Sequence, residues 1–223
     1  MSFIADRMDC IDASGIRKVF ALAAKMKNPI NLSIGQPDYD VDEPVKEIAI
    51  QAIRAGFNTY TQTWGVQELR DEASAYYERR FGTPLHNVMV TCGVSGGLFL
   101  GLMATVNPGD EVLCGDPYFV MYKHLVTLLG GVSKPIDTYP DFKLRPEAIE
   151  AAITKQTKIL IVNSPANPTG VTLDKNELAA IAPPSPPWPS GTICSCSRMR
   201  FTNNCNTTAS RAASRACTTT SCS

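Results

Sequence analysis

Residues 157–170 read TKILIVNSPANPTG, an apolar run that leads directly into a loop rich in proline and asparagine. A short, continuous apolar run of this kind is typical of a strand buried on both faces of a sheet. The two prolines and the final glycine make the following loop rigid. Parallel sheets bind ligands at the carboxyl ends of their strands, so Asn167 is a candidate binding residue, with an ordinary Asn-Pro turn as the alternative.

Helical and strand patterns alternate outward from this stretch. The pattern predicts helices over residues 13–27, 42–54, 67–81, 95–106, 118–129 and 146–153, a short extended segment at 30–35, and strands at 87–93, 110–115 and 132–139. Asp174, with Glu177 three residues later, predicts the start of a further helix. Strands separated by helices imply right-handed crossovers, so we predict an α/β fold with a mainly parallel sheet and helices on both faces.

Two further predicted strand ends carry candidate residues. The segment Cys92-Gly-Val-Ser-Gly-Gly97 opens a helix, whose exposed N–H groups could bind an anion; the alternative is a tight turn with Ser95 as the N-cap. The segment Asp116-Pro-Tyr-Phe119 places aromatic rings where they could stack on a planar ligand or equally belong to the core. Tyr60 and the segment 35–37 lie in polar turns that are plain loops on sequence alone.

Composition excludes several classes of function. The chain has 223 residues with 21 basic and 21 acidic side chains, which argues against a nucleic-acid partner. No apolar run reaches the length of about 18 residues that a membrane span needs, and charges interrupt the first ten residues, so we expect a soluble cytoplasmic protein. His86 and His124 are expected on the surface or in packing, and no metal site is predicted.

The last 41 residues differ in composition from the rest. Residues 183–223 contain no Asp, Glu, Lys, Leu or Val, but hold five of the eight Cys and fifteen Ser or Thr. Four large apolar residues in this tail are too few to offset the entropy of ordering, so we predict disorder. A metal site or a disulfide scaffold built on the cysteines is a weaker alternative, because the tail has no CxxC pair and no His.

Five segments together resemble a known family. They are SIGQPD, YTQTWGVQELR, VTCGVSGG, NPGDEVLCGDPYF and NSPANPTG, and in this order they resemble class I aminotransferases of the pyridoxal-phosphate fold type I. The resemblance spans residues 10–182, about the first half of a family member. It implies the N-terminal half of the family's large domain, pyridoxal 5'-phosphate as cofactor, an amino acid and a 2-oxo acid as substrates, and a homodimer.

The resemblance also implies roles for particular residues. Val94, Ser95 and Gly96 would hold the cofactor phosphate, and Phe119 would stack on the pyridine ring. Asn167 would hydrogen-bond the ring's phenolic oxygen. Tyr60 would reach the phosphate of the neighbouring subunit, and Gly35 would meet the substrate carboxylate.

Three features of the family do not follow residue 182. These are a strand ending in Asp-x-x-Tyr, the Schiff-base lysine in a Ser-x-x-Lys segment, and a late arginine for the substrate carboxylate; the last lysine here is Lys175. We therefore assign no catalytic residue and expect no transamination by this chain. The DNA that encodes residues 191–205 can, however, be read in the frame that begins one base earlier. In that frame it is compatible with an apolar strand followed by Asp-x-x-Tyr, which indicates a frameshift near residue 183.

The resulting prediction divides the chain into three parts: an N-terminal arm over 1–40, a partial cofactor-binding domain over 41–182 and an out-of-frame tail over 183–223. The predicted function is that of an aminotransferase when intact. The alternatives are a C–S lyase or decarboxylase of the same fold, and a non-catalytic truncated remnant.

Overall fold

The computed structural model describes residues 3–11, 19, 22–23, 25–27, 30, 39–82, 85–181 and 193–197. The first described element is a short 3-10 helix at Asp6–Cys10. The helix predicted over 13–27 and the extended segment predicted over 30–35 lie largely outside the described residues, as does Gly35.

A parallel sheet forms the centre of the fold. Its strands are β1 (Glu111–Asp116), β2 (Val132–Asp137), β3 (Thr157–Asn163) and β4 (Ile193–Ser197). They lie in the order β2-β1-β3-β4, and every neighbouring pair is parallel. Pro135 lies in β2, which is an edge strand, and this is where a residue without an N–H is tolerated. The predicted parallel sheet is confirmed.

Six α-helices with defined ends accompany the sheet in the described part of the chain. They are α1 (Glu43–Arg54), α2 (Gln67–Phe81), α3 (Gly93–Thr105), α4 (Met121–Leu128), α5 (Pro146–Ala152) and α6 (Lys175–Ile181). Each corresponds to a helix predicted from the sequence, although α4 begins at Met121 and not at residue 118. No helix among the described segments is both long and apolar enough to cross a membrane.

Two hydrophobic clusters cover the two faces of the sheet. Alternate residues of the strands point to opposite sides, so Val112 and Cys114 of β1 belong to one cluster and Leu113 to the other. The first cluster includes side chains of α3 and α4, and the second includes side chains of α5 and α6. The prediction of helices on both faces is therefore confirmed.

The segment 87–93, predicted as a strand, forms no strand. A strand needs a neighbour to share its backbone hydrogen bonds. Here the Val90 amide donates to the Trp64 carbonyl over 3.0 Å, and the Val88 carbonyl accepts from Arg70 Nε over 2.8 Å. The apolar pattern gave no information about pairing, so the prediction of a strand is wrong.

The tail also departs from its prediction in one place. Residues 193–197 form β4, which pairs with β3 from Ile159↔Ile193 to Asn163↔Ser197. Disorder was predicted for the whole of 183–223, and it is wrong for these five residues. Composition does not indicate whether a neighbouring strand exists for a segment to pair with, so it did not reveal this pairing. The rest of the tail lies outside the described residues.

Candidate active site

A cleft lies at the carboxyl ends of β1 and β3. It encloses an empty volume of about 480 Å³, part of it open to solvent. Its walls come from both strands, from the first turn of the helix α4 and from the loops that follow β1, β2 and β3. The polar or aromatic residues among them are Tyr118, Tyr122, Thr138, Phe142, Asn163 and Asn167. This is the edge at which parallel sheets bind ligands.

The loop after β3 is closed on itself by hydrogen bonds. The Ala166 amide donates to the Val171 carbonyl over 2.8 Å, and the Gly170 amide donates to the Ala166 carbonyl over 2.7 Å. Ser164 Oγ accepts from the Leu173 amide over 2.8 Å, which ties the loop to the chain leading into α6. Asn167 is thereby held, half-buried, in the cleft wall. The prediction that a rigid loop would present Asn167 at this edge agrees with that placement.

The next helix fixes the far end of the same loop. Asp174 Oδ1 accepts from the Glu177 amide over 2.9 Å, while Glu177 Oε2 accepts from the Asp174 amide over 2.7 Å. This reciprocal pair is the predicted capping box, which is confirmed. Glu177 also pairs with Lys143, so α6 is tied to the loop after β2.

The ends of β1 and β2 meet through a buried threonine. Thr138, which is 4% exposed, donates from Oγ1 to the Asp116 carbonyl over 2.6 Å. A Cβ on Gly115 would lie 3.2 Å from Thr138 Cγ2, so this approach leaves little room for a larger residue.

Burial raises the pKa of Tyr118, with the nearby Cys114 and Asp116 adding to the effect. Tyr118 is therefore a hydrogen-bond donor in the cleft at neutral pH.

Cys114 also lines the cleft, but its thiol is unreactive. Burial raises the pKa of its thiol to about 12, with Asp116 contributing and a hydrogen bond with Ser133 opposing the shift. A thiol that stays protonated is a poor nucleophile and a poor metal ligand. Within the described ranges, no group of three His, Cys, Asp or Glu side chains is placed to hold a metal ion.

Phe119 lies against the core beside the cleft. It is partly buried against the first hydrophobic cluster and meets Tyr122 edge to face, with ring centroids 5.7 Å apart and an interplanar angle of 82°. Tyr122 itself lines the cleft. Of the two alternatives predicted for Phe119, the structure shows the core aromatic, since Phe119 packs against the first cluster and is not among the residues that line the cleft. Its stacking on a ligand stays a prediction.

The first turn of α3 is open to an anion. The helix starts at Gly93, its N-cap Cys92 makes no side-chain hydrogen bond, and no acidic residue lies in the first turn. Ser95 is the third residue of the helix and not its N-cap; it and Gly96 are half-buried, while Val94 is 40% exposed. N–H groups at such a start favour negative charge.

A short connection over residues 106–110 joins α3 to β1, and no residue of α3 lines the cleft. Leu98 of α3 packs against the same cluster as Phe119.

Tyr60 lies apart from these residues. It is fully exposed, in the irregular chain between α1 and α2. The structure therefore brings Asn167, Tyr118 and Tyr122 together, puts Phe119 directly behind them, and leaves the Tyr60 side chain in solvent. His86 is exposed and His124 is half-buried.

Among the cleft residues, Tyr122, Thr138 and Phe142 were not singled out from the sequence. Thr138 directly follows β2, so the rule that ligands bind at strand ends could have identified it. Phe142 has a φ of 59°, in the left-handed region that a bulky residue rarely adopts. Nothing in the letters YPDFKL indicates that conformation, and only the structure shows its ring in the cleft wall.

Known proteins similar to this chain are aminotransferases. A family model for class I and II aminotransferases matches residues 27–184. The aspartate/prephenate aminotransferase of Cereibacter sphaeroides is 40% identical over 189 residues, covering 81% of this chain and 47% of that protein. The aspartate aminotransferase of Pyrococcus abyssi is 38% identical over 184 residues, covering 80% and 47%.

The fold is similar as well. The solved structure of Thermus thermophilus aspartate aminotransferase with maleate matches with a TM-score of 0.76 at 35% identity, covering 82% of this chain and 50% of that one. The chain thus spans about half the length of the relatives it matches, and the fold predicted from the resemblance is confirmed. Sequence and fold lead to one conclusion: the chain belongs to the class I and II aminotransferases.

Proposed function

We propose that this chain supplies part of the pyridoxal 5'-phosphate site of an enzyme that transfers an amino group between an amino acid and a 2-oxo acid. One observation carries the proposal: the cleft at the carboxyl ends of β1 and β3, with the Asn167 loop in its wall. Membership of the aminotransferase family supports the reaction type.

The residues present fit the proposed cofactor. The cleft combines aromatic walls with a neutral amide, which suits a planar ring carrying a phenolic oxygen. The first turn of α3 has no carboxylate and no side-chain cap, which suits a phosphate. When bound, the pyridine ring acts as an electron sink for charge that develops at the amino acid's α-carbon.

Each residue then has a defined task. Asn167 donates its amide N–H to the ring's phenolic oxygen, and Phe119 supports the ring face. Val94, Ser95 and Gly96 hold the phosphate through their N–H groups and the Ser95 hydroxyl. For Tyr60, full exposure is consistent with a contact to the phosphate site of a second copy in a homodimer. The role of Gly35 toward the substrate carboxylate and the cytoplasmic location stay predictions.

The chain as written is not expected to complete the reaction. Lys175, the first residue of α6, is the last lysine among these 223 residues, so they do not include a lysine in a later Ser-x-x-Lys segment to attach the cofactor and move its protons. We therefore expect binding of the cofactor without turnover. A non-catalytic remnant is the second candidate, and this missing lysine is the observation that favours it.

We also propose that residues from about 183 onward are encoded out of frame. In the alternative frame the apolar residues fall on the codon pairs from 193/194 to 197/198. Sequencing the coding DNA and measuring the intact mass test this. A mass equal to that of the printed sequence would overturn it.

Calorimetric titration with pyridoxine 5'-phosphate tests the binding site. This probe lacks the cofactor's aldehyde, so surface lysines do not react with it. We expect saturable binding that Asn167→Ala weakens about tenfold, because one hydrogen bond to an ionised oxygen is lost. Asn176→Ala, which removes an exposed amide on α6, is the matched control and should leave the affinity unchanged. The absence of saturable binding would refute the proposed site.

A further inference from the structure

One face of α2 is hydrogen-bonded to the chain that leads into α3. Arg70 donates from Nε to the Val88 carbonyl over 2.8 Å, and Ser74 donates from Oγ to the Leu85 carbonyl over 2.8 Å. Residues four apart lie on the same face of a helix, so these two side chains act side by side. Because residues 87–91 form no strand, these contacts take the place of a strand neighbour in fixing them.

The Arg70 guanidinium is itself held in place. Its central carbon lies 5.5 Å from the centroid of the Trp64 ring, a cation–π distance. Its Nη1 donates to Gln67 Oε1 over 2.9 Å. A planar group held on its face and on two of its edges has little freedom to rotate. Because the guanidinium is held in this way, Arg70 fixes the position of the Val88 carbonyl.

A second connection joins the same two segments. The Val90 amide donates to the Trp64 carbonyl over 3.0 Å. Gly65 has a φ of +98°, and a Cβ there would lie 2.6 Å from Val90 Cγ2, so the two chains touch at a place where only glycine fits. Residues 64–65, Arg70 and residues 88–90 thus form one packed unit.

Along the chain, this unit lies between Tyr60 and the first turn of α3. Its first segment continues back to Tyr60, and its second runs three residues forward to Gly93, where α3 begins. We propose that Arg70 is a positioning residue for the phosphate end of the cofactor site: by fixing residues 88–90 it sets the first turn of α3. The inference rests on the proposed function and adds a residue to that site that makes no contact with the ligand.

Three variants test the role of Arg70. Arg70→Met removes the charge and every donor, and Arg70→Lys keeps a cation beside Trp64 without the planar fork. Arg79→Met removes another arginine of α2, which pairs with Glu72, and serves as the matched control. The readouts are amide hydrogen exchange over residues 88–92 and the ratio of affinities for pyridoxine 5'-phosphate and pyridoxine, which differ only in the phosphate.

We expect Arg70→Met to speed exchange at Val90 and to lower the affinity ratio, each about tenfold, because the lost hydrogen bond involves a charged donor. Arg70→Lys should recover part of both effects, and Arg79→Met should change neither. Equal losses of affinity for the two ligands would show a general structural role and overturn the proposal, as would unchanged exchange at residues 88–92. If the unsubstituted chain binds neither ligand, the proposed function fails, while the exchange measurement still decides whether Arg70 orders this segment.

Discussion

At the residue scale, Glu111 joins three segments at the amino-terminal end of the sheet. Its Oε2 accepts hydrogen bonds from Thr154 Oγ1 at 2.6 Å, Thr157 Oγ1 at 3.1 Å and Lys134 Nζ at 3.3 Å. The side chain is only 15% exposed, so its charge depends on these partners. The contacts tie the start of β1 to β2 and to the chain that enters β3, at the opposite end from the cleft.

Replacing this carboxylate should lower stability in a pH-dependent way. Burial alone would raise the pKa of Glu111, but the hydrogen bonds from Thr154, Lys134 and Thr157 outweigh it and lower the pKa. The stabilisation is therefore present above the pKa of the unfolded chain and is lost as pH falls through the lower pKa of the folded chain. We expect Glu111→Gln to cost about 1–2 kcal/mol in urea unfolding at neutral pH and less at an acidic pH below the pKa of the folded chain.

The matched control is Glu150→Gln, which removes an exposed carboxylate of α5. It should change the free energy of unfolding by less than about 0.5 kcal/mol at either pH. Equal effects of the two substitutions at neutral pH would contradict the role given to Glu111.

Two glycines give a paired prediction about packing. A Cβ on Gly131 would lie 2.9 Å from Val106 Cγ1, 3.0 Å from Val126 Cγ1 and 3.1 Å from the Asp110 carbonyl oxygen, so it meets side chains of the core and fixed backbone. A Cβ on Gly101, inside α3, meets nothing within 4 Å. We expect Gly131→Ala to destabilise by about 1–3 kcal/mol. Gly101→Ala should stabilise by about 0.5–1 kcal/mol, because alanine loses less backbone entropy in a helix.

Thermal unfolding of both variants measures the difference. The two substitutions add the same methyl group. Opposite shifts of Tm would therefore show that the atoms around each glycine decide the change in stability. A Tm for Gly131→Ala at or above that of the parent chain would show that the contacts around Gly131 can relax, and the packing described here would be wrong.

At the scale of elements, α6 depends on its first residues. The helix has only 7 residues, so its own hydrogen bonds contribute little without a cap and without packing. Leu178 and Ile181 supply the packing, and the Asp174–Glu177 box supplies the cap. We expect Asp174→Ala to cost about 1 kcal/mol in free energy of unfolding, and Asp174→Asn to cost much less because asparagine also caps well. Chemical denaturation would contradict the cap if the two variants lost the same stability.

The elements predicted from sequence are those whose signals are local. The helix α2 matches its prediction at both ends, since Gly82 follows it in the left-handed conformation typical of a helix stop. The strand β3 was predictable from its apolar run, and Asn167 from the rigid loop behind it. The strand predicted over 87–93 is absent because a strand requires a neighbouring strand, and local sequence patterns do not indicate whether one exists.

In the candidate site, too, only the residues with local sequence signals were predictable. Residues directly after a strand, such as Asn167 and Tyr118, follow from the rule that ligands bind at the carboxyl edge of a parallel sheet. Arg70 and Phe142 do not, because their positions depend on contacts between distant segments and on an unusual backbone angle. Long-range packing of this kind becomes visible only in three dimensions.

At the scale of the whole molecule, apolar side chains remain in solvent along α1. None of its residues is buried, and Val45, Ile48 and Ile53 are 56%, 67% and 63% exposed. An apolar stripe on an amphipathic helix is normally covered by another surface. For a chain that spans about half the length of its relatives, such a stripe predicts association between copies when the chain is prepared alone.

Charge placed on this stripe should therefore reduce association. Ile48→Glu combined with Ile53→Glu removes two isoleucines, each worth about 1.5–3 kcal/mol when buried against another surface. We expect sedimentation velocity to show a lower fraction of associated material at equal concentration. Circular dichroism should be unchanged, since neither side chain packs in the core.

Gln51→Glu on the same helix adds a negative charge without removing an apolar side chain, and so separates the two causes. If association is driven by apolar burial, this control should associate as the parent chain does, and the effect of salt should be small because screening acts on charges. If Gln51→Glu reduces association as much as the double substitution, then repulsion between charged copies is the cause and α1 is not the associating surface. If neither variant changes sedimentation, association occurs elsewhere on the molecule, and the exposed isoleucines of α1 have no part in it.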